Sequence, residues 1–378
     1  MLDKHQRAEY VAADPANADR RDDAWRALLA WYAAQGRAHL PWRHTRDPYA
    51  VLVSEVMLQQ TQVDRVLPKY HEFLSRFPTL ESLAAAPTAD VIKAWASLGY
   101  NMRAVRLQQI ARQAVAEYGG ALPDTLDTLM ALKGIGRYTA GAIACFAFEQ
   151  HVATVDTNIR RVLWRVFRGI EPASWPSGER TQREALALAE WALPPDRSYD
   201  WQQALMDLGA TVCVSRRPLC ESCPLTSSCA AYAETATVTL FPSGEALARI
   251  REERASDDAS QHELPSVAEQ RATYTTSTAT GAAAANTSSP RPTPHAPKMR
   301  KSIPFTSTTR YFRGRVVDTL RALESGASLS LPELGPSVKL DFSPNDDLPW
   351  LRAIVRGLAR DGLVRVTGDQ DDERVALP

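Results

Sequence analysis

Cysteine is scarce in this chain and unevenly placed: of five, four lie between Cys213 and Cys229, and Cys145 stands alone within AIACFAF. So small a supply excludes a fold stapled by dispersed disulfides, and four thiols in one short segment point to metal ligation. Cys145, in an apolar run, reads as a small core residue. No stretch approaches the roughly 18 uninterrupted apolar residues that a membrane span requires. The opening MLDKHQRAEY is charged, so a soluble, cytoplasmic protein with no membrane partner is expected. An excess of charge of one sign is missing too, since 44 Lys plus Arg balance 44 Asp plus Glu. Between Arg20 and Tyr232 the count is 24 against 21, and 21 of those cations are Arg. No bulk positive field is available, so nucleic-acid binding has to come from local sites.

Alternating strand patterns are also rare, which excludes an all-β or α/β fold for most of the chain. At 378 residues the chain exceeds what one hydrophobic core organises, so two or more units are expected. Residues 1–19 are polar and alanine-rich without apolar periodicity and read as a frayed tail. From Asp22 to about Tyr232, helical-period sets such as Trp25, Leu28, Leu29 and Tyr32 recur between breaks at Pro78, Pro87, Gly99, Pro123 and Gly134. Residues 233–302 turn to Thr, Ser, Ala, Pro and Gln, which bury too little apolar area to offset ordering entropy, and read as a disordered linker. Periodicity returns over Tyr311 to Leu323 and Trp350 to Leu358, followed by LVRV and RVAL. Residues 303–378 are therefore expected to form a small winged-helix-like module, as compatible with a purely structural role as with nucleic-acid binding.

Cys213, Cys220, Cys223 and Cys229 are separated by six, two and five residues, and thiolates brought together by such short loops suit a four-iron, four-sulfur cluster. Zinc also takes four thiolates, but usually from two close pairs, and only the central pair here is close. Upstream, LMALKGIGRYTAGAIACFAF sets two helical segments around Gly134-Ile135-Gly136. Glycine permits a tight turn whose backbone amides, at a helix N-terminus, can meet a phosphate unobstructed; Gly134, Gly136 and the adjoining Arg137 are the candidate phosphate contacts. Taken alone, a GxG turn between helices is an ordinary connection.

The order of that hairpin, then VDTNIRRV from Val155 to Val162, then the cysteine loop resembles the helix-hairpin-helix superfamily of base-excision DNA glycosylases. LPWR from Leu40 to Arg43, SEVMLQQTQV from Ser54 to Val63, and QALMDLGATVC ending at Cys213 are similar to its MutY-type adenine DNA glycosylases in particular. The resemblance covers about residues 22–232. It implies an all-α, two-lobed fold: a six-helix barrel lobe over 47–155 carrying the hairpin, and an iron-sulfur lobe built from 20–46 and 156–232. DNA and an extruded base would lie between them.

Hydrolysing the bond between adenine and its sugar needs an acid to improve the leaving group and an anion to stabilise the developing sugar cation. Glu55 and Asp156 are the candidates. Glu55 lies in the apolar VLVSEVML, where burial would raise its pKa and retain a proton; the plainer alternative is a partly buried charge paired with an arginine. Asp156 follows HVATV and precedes a helix near Asn158, so it can cap that helix as well as serve the reaction. By the resemblance, Tyr138 and Asn158 assist this pair, and Tyr138 stands where bifunctional relatives carry a lysine nucleophile. A phenol cannot form a Schiff base, so a monofunctional enzyme is implied. The resemblance also makes Leu40, Trp42, Arg43 and Gln203 the adenine pocket, Gln60 the wedge that fills the vacated stack, and Tyr100 the residue inserted beside the opposing base.

Two departures from the family pattern stand out: Asn101 replaces a second aromatic, and Lys133 a proline. The family's Nudix-like domain, which recognises 8-oxoguanine, is not expected in the segment after Ser302, which is too short and too helical for it. The leading expectation is a monomeric, nucleoid-associated glycosylase removing adenine mispaired with guanine or 8-oxoguanine from double-stranded DNA. A thymine or damaged-pyrimidine glycosylase on the same fold and a non-catalytic iron-sulfur DNA-binding protein are the alternatives.

Overall fold

A computed structural model describes residues 15–172, 178–240, 304–369 and 372–378. Helix α1 (Pro15–Gln35) starts with a proline, whose missing N–H costs nothing in a first turn. The helix corrects the expected tail, which gives way at residue 15; residues 1–14 lie outside the described set. A short 3-10 turn (Pro41–Arg43) follows. Seven helices then span the predicted barrel: α2 (Pro48–Leu58), α3 (Val63–Arg76), α4 (Leu80–Ala85), α5 (Thr88–Ala94), α6 (Met102–Tyr118), α7 (Leu126–Ala131) and α8 (Arg137–Phe146). Only Ala86 and Pro87 separate α4 from α5.

Helix α2 is the centre of this lobe. Every residue from Tyr49 to Met57 is buried, including Glu55, so the helix is covered all round. Helix α3 instead buries one stripe, Val66, Tyr70 and Phe73, at helical spacing. The second lobe comprises α1, α9 (Thr157–Phe167), α10 (Glu179–Trp191) and α11 (Ser198–Thr211). Its core includes Leu28, Ile159, Leu163, Trp201 and Leu208. Gln202 stitches the lobes together, donating from Nε2 to the Val152 carbonyl and to Cys145 Sγ, both at 2.8 Å. Cys145 is buried in the barrel core.

After the cysteine loop, α12 (Ala230–Leu240) continues through residues expected to be linker: alanine-rich AAYAETATVTL is a competent helix former, and the Ala233 N–H bonds back to the Cys229 carbonyl. The remaining linker residues, 241–302, lie outside the described set.

The C-terminal module runs α13 (Thr309–Arg321), β1 (Leu329–Ser330), α14 (Leu331–Val338), α15 (Pro344–Arg360), β2 (Arg365–Thr367) and β3 (Arg374–Ala376). The sheet order is β1-β3-β2, antiparallel, with Val375 facing Leu329 on one side and Val366 on the other. This is winged-helix topology. Its core, including Val316, Leu334 and Leu358, also takes in Ile92 and Val105 of the barrel lobe.

Candidate active site

Between the two helical lobes lies a cleft of about 1200 Å³. Eleven of the predicted residues line it: Leu40, Trp42, Arg43, Glu55, Gln60, Gly136, Arg137, Tyr138, Asp156, Asn158 and Gln203. Tyr100, Gly134 and the four clustered cysteines do not.

Glu55 enters from α2, at the barrel core, and is 8% exposed. Burial pushes its carboxyl up to about 7, aided by the negative charge of Asp156; a hydrogen bond from the Tyr138 phenol and the Arg43 charge pull the other way. Loss of water dominates. Tyr138 reaches this position because the hairpin turn ends there. Gly134 sits at φ 107°, where a side chain would be strained, and a Cβ there would strike the Arg106 side chain at 2.7 Å. Gly136 then caps α8, so Tyr138 stands in that helix's first turn beside Glu55. Burial and the two neighbouring carboxylates raise the phenol well above its ordinary value, so it stays a donor at any working pH.

Asp156 comes from the other lobe as the N-cap of α9. Its Oδ1 accepts the Ile159 N–H at 2.6 Å, and its Oδ2 accepts Asn158 Nδ2 at 3.2 Å. Burial raises its pKa, but these donors and the Arg161 charge resist the rise by stabilising the anion. Arg161 Nη2 donates to Asn158 Oδ1 at 2.8 Å and to the Gly209 carbonyl at 2.6 Å, and its Nε donates to the Cys213 carbonyl at 2.8 Å. One guanidinium therefore joins the Asp156 cap to the start of the cysteine loop. Gly209 makes this approach possible, since a Cβ there would lie 2.7 Å from Asn158 Cβ.

Asp207, Arg37, Arg161 and Gly209 were not singled out from sequence. Asp207, fully buried on α11, accepts Arg37 Nε and Arg43 Nη2 on one oxygen, both at 2.7 Å, and the Arg37 N–H on the other at 2.8 Å. Arg43 Nη1 also donates to the Tyr32 hydroxyl at 2.8 Å, while its Nε is buried without a protein acceptor. Removing one side of such a buried pair costs about 3–5 kcal/mol. A legible signal existed: Asp207 lies in the apolar ALMDLG as Glu55 lies in VLVSEVML. The arginine-paired fate considered for Glu55 belongs to Asp207.

Trp42, 8% exposed, packs edge-on to Tyr70 with ring centres 5.4 Å apart, and Leu40 and Gln203 are buried beside the cleft. Gln60 and Tyr100 share an unusual feature: each is a non-glycine residue at positive φ, 58° and 48°. Such conformations persist only where surrounding contacts enforce them.

The four cysteines fall on one loop with two 3-10 turns (Cys220–Ser222 and Thr226–Ser228). Arg165 Nη1 donates to Cys213 Sγ at 3.4 Å, and Cys229 Sγ donates to the Arg165 carbonyl at 3.4 Å. Burial raises the Cys220, Cys223 and Cys229 thiols, and nearby Cys213 adds to the rise in all three. Among the described residues no three His, Cys, Asp or Glu side chains draw together around one metal ion. Four thiols on one loop, with charge coupling among them, match in number and type the donors that a four-iron cluster takes, one thiolate per iron.

Residues 53–189 match the HhH-GPD superfamily base excision DNA repair protein family. The chain is 46% identical over 227 residues to the human adenine DNA glycosylase, a match covering 58% of this chain and 41% of that protein. It is 43% identical over 218 residues to the adenine DNA glycosylase of Mycobacterium tuberculosis, covering 57% of this chain and 70% of the relative. The chain thus spans about two-fifths of the human relative's length. Among solved structures, a thermostable thymine-DNA glycosylase superposes with a TM-score of 0.53 at 32% identity, covering 58% of this chain and 99% of that one. With the hairpin, the facing carboxylates and the cysteine loop all in place on a two-lobed helical body, this chain belongs to the HhH-GPD superfamily of base excision DNA repair proteins and, within it, to the MutY-type group.

Proposed function

We propose that this protein is a monofunctional adenine DNA glycosylase that hydrolyses adenine from duplex DNA where it is mispaired with guanine or 8-oxoguanine. The reading rests chiefly on Glu55, a buried carboxyl whose pKa near 7 leaves a large protonated fraction at neutral pH, facing Asp156 across one cleft. An extruded adenine enters the cleft, and protonated Glu55 donates to a ring nitrogen, making the base a better leaving group. The glycosidic bond breaks with its electron pair moving to the base. Asp156, held as an anion by its cap donors, stabilises the sugar cation until water adds to the sugar carbon and loses a proton. Among the described residues lining the cleft there is no lysine, so no amine is present to attack the sugar and cut the strand.

In this reading a single copy of the chain binds the duplex, with Gly134, Gly136 and Arg137 at a phosphate and Gln60 in the vacated stack. Cys213, Cys220, Cys223 and Cys229 would hold a 4Fe-4S cluster, which would tie the loop into a rigid anchor, while proton transfer and charge stabilisation belong to the cleft. The likeness to a thymine-DNA glycosylase makes G:T the necessary control. Duplexes containing A:G, A:8-oxoguanine and G:T are incubated with the purified chain and treated with alkali. The expected result is strand scission at adenine in the first two and none without alkali. Scission confined to G:T would overturn the adenine assignment.

A further inference from the structure

The C-terminal module is docked against the loop that carries Tyr100. Beyond the shared apolar core with Ile92 and Val105, Arg321 Nε donates to the Ile92 carbonyl at 3.1 Å and its Nη2 to Asn101 Oδ1 at 2.7 Å. Lys93 Nζ donates to the Leu323 carbonyl at 3.2 Å, and the Ala89 N–H to the Pro378 carbonyl oxygen at 3.0 Å. The module's Arg310 places its guanidinium carbon 4.0 Å from the centre of the Tyr100 ring.

On the barrel side the same ring faces Arg103, at 5.5 Å. Arg103 is buried; its Nη1 donates to the Val56, Met57 and Gln59 carbonyls, and its Nη2 to Thr61 Oγ1 and the Leu98 and Gly99 carbonyls. One guanidinium therefore fastens the Gln60 turn, which lines the cleft, to the Tyr100 turn beside it. Each of these two turns holds a left-handed non-glycine residue. Tyr100 is thus held between a buried arginine of the barrel and an exposed arginine of the module.

The two arginines differ in what they have left to offer. Arg103 is committed to six protein oxygens. Neighbours of Arg310 on α13 are committed too: Arg313 to Asp361, Arg315 to the Ser337 carbonyl, Arg321 to Asp318. Arg310 is exposed and forms no ion pair among the described residues. A guanidinium stacked on a ring by its face keeps the N–H donors of its edge free for phosphate or a base edge.

We propose that Arg310 is a DNA-contacting residue that works as a stacked pair with Tyr100 on the strand opposite the extruded base, so that the C-terminal module forms part of the mismatch reader. This deepens the glycosylase reading and rests on it for the placement of Tyr100 at the duplex. Wherever Tyr100 meets the opposing strand, a cation 4.0 Å away meets it as well.

The test uses the full chain in a Glu55→Gln background, which holds DNA without turnover, and reads binding to a fluorescent A:8-oxoguanine duplex and to its fully paired counterpart by anisotropy. Arg310→Ala is expected to weaken binding to the mismatch about tenfold, to narrow the preference over paired DNA, and to leave the melting temperature unchanged. Arg310→Lys, which keeps the charge but not the flat stacking face, is expected to fall between Ala and the parent. Affinity within about twofold of the parent for Arg310→Ala would overturn the proposal. So would a loss that Arg310→Lys restores in full, since charge alone would then suffice, or one that tracks a fall in melting temperature. Excision by the otherwise unchanged chain separates the two readings. If it removes adenine while Arg310→Ala binds normally, only the contact fails; if it removes none while Arg310→Ala binds poorly, only the enzymatic reading fails.

Discussion

Glu55 and Asp156 face one cleft from lobes that treat a carboxylate by different means. The barrel lobe surrounds Glu55 with apolar α2 neighbours and gives it one phenol donor, so loss of water prevails and the carboxyl retains its proton up to about pH 7. The second lobe buries Asp156 too, and burial raises its pKa, but a helix N-terminus with a backbone N–H, the Asn158 amide and the Arg161 charge opposes that rise. Burial is common to both; the supply of donors differs. In the proposed reaction, two chemically similar side chains serve as an acid and a stabilising anion because their surroundings differ, not their own chemistry.

The strongest way to break that comparison is to remove each role in turn. Glu55→Gln is expected to lower single-turnover adenine release by on the order of 10³-fold, and Asp156→Asn by on the order of 10²-fold to 10³-fold, with duplex binding largely kept in both. Equal, small losses would show that neither wall is specialised. A third substitution acts at a distance from the chemistry. Gly209→Ala would push its methyl against Asn158 and displace the Asp156 cap while leaving Glu55 untouched, so roughly tenfold slower release is expected, with about 1–3 kcal/mol of stability lost to overpacking. Quenched-flow rates and thermal melting check both parts.

The smallest effect is also the most diagnostic. Single-turnover rate plotted against pH should fall as pH rises through about 7, because the active form is the protonated one. Tyr138→Phe removes the hydrogen bond that lowers the Glu55 pKa, so this limb should move to higher pH; movement to lower pH would contradict the assigned balance. The same proton has a stability signature. Glu55 releases it near the ordinary carboxylate value when unfolded and only near 7 when folded, so its contribution to stability is full below the unfolded value and lost as pH rises through about 7. Glu55→Gln should therefore melt higher than the parent at pH 8 and little differently at pH 4.

Much of this was legible because it is written in local pattern. Helical periodicity and proline or glycine breaks announce most of the helices, and a carboxylate inside VLVSEVML announces a buried acid. Asp207 carries the same local signal as Glu55, yet the two end differently. Arg37 and Arg43, both distant in sequence, pair with Asp207, while Tyr138 from the hairpin reaches Glu55. Gly209 had no readable signal, because its need for smallness exists only against Asn158. The start of α1 was misjudged because alanine, asparagine and aspartate carry no apolar stripe, and the helix continues outward from a packed segment that begins with Ala24.

By itself the sequence determined the mostly helical body, the hairpin turn with its obligatory glycine, the four-thiol loop and the small terminal module, since each depends on spacing within a short stretch of chain. Only the tertiary structure decided which carboxylate would keep a proton, which would be tied to arginines, and where the terminal module would rest. Those outcomes depend on desolvation and on partners contributed by chain segments far apart, and neither quantity exists until the lobes have packed.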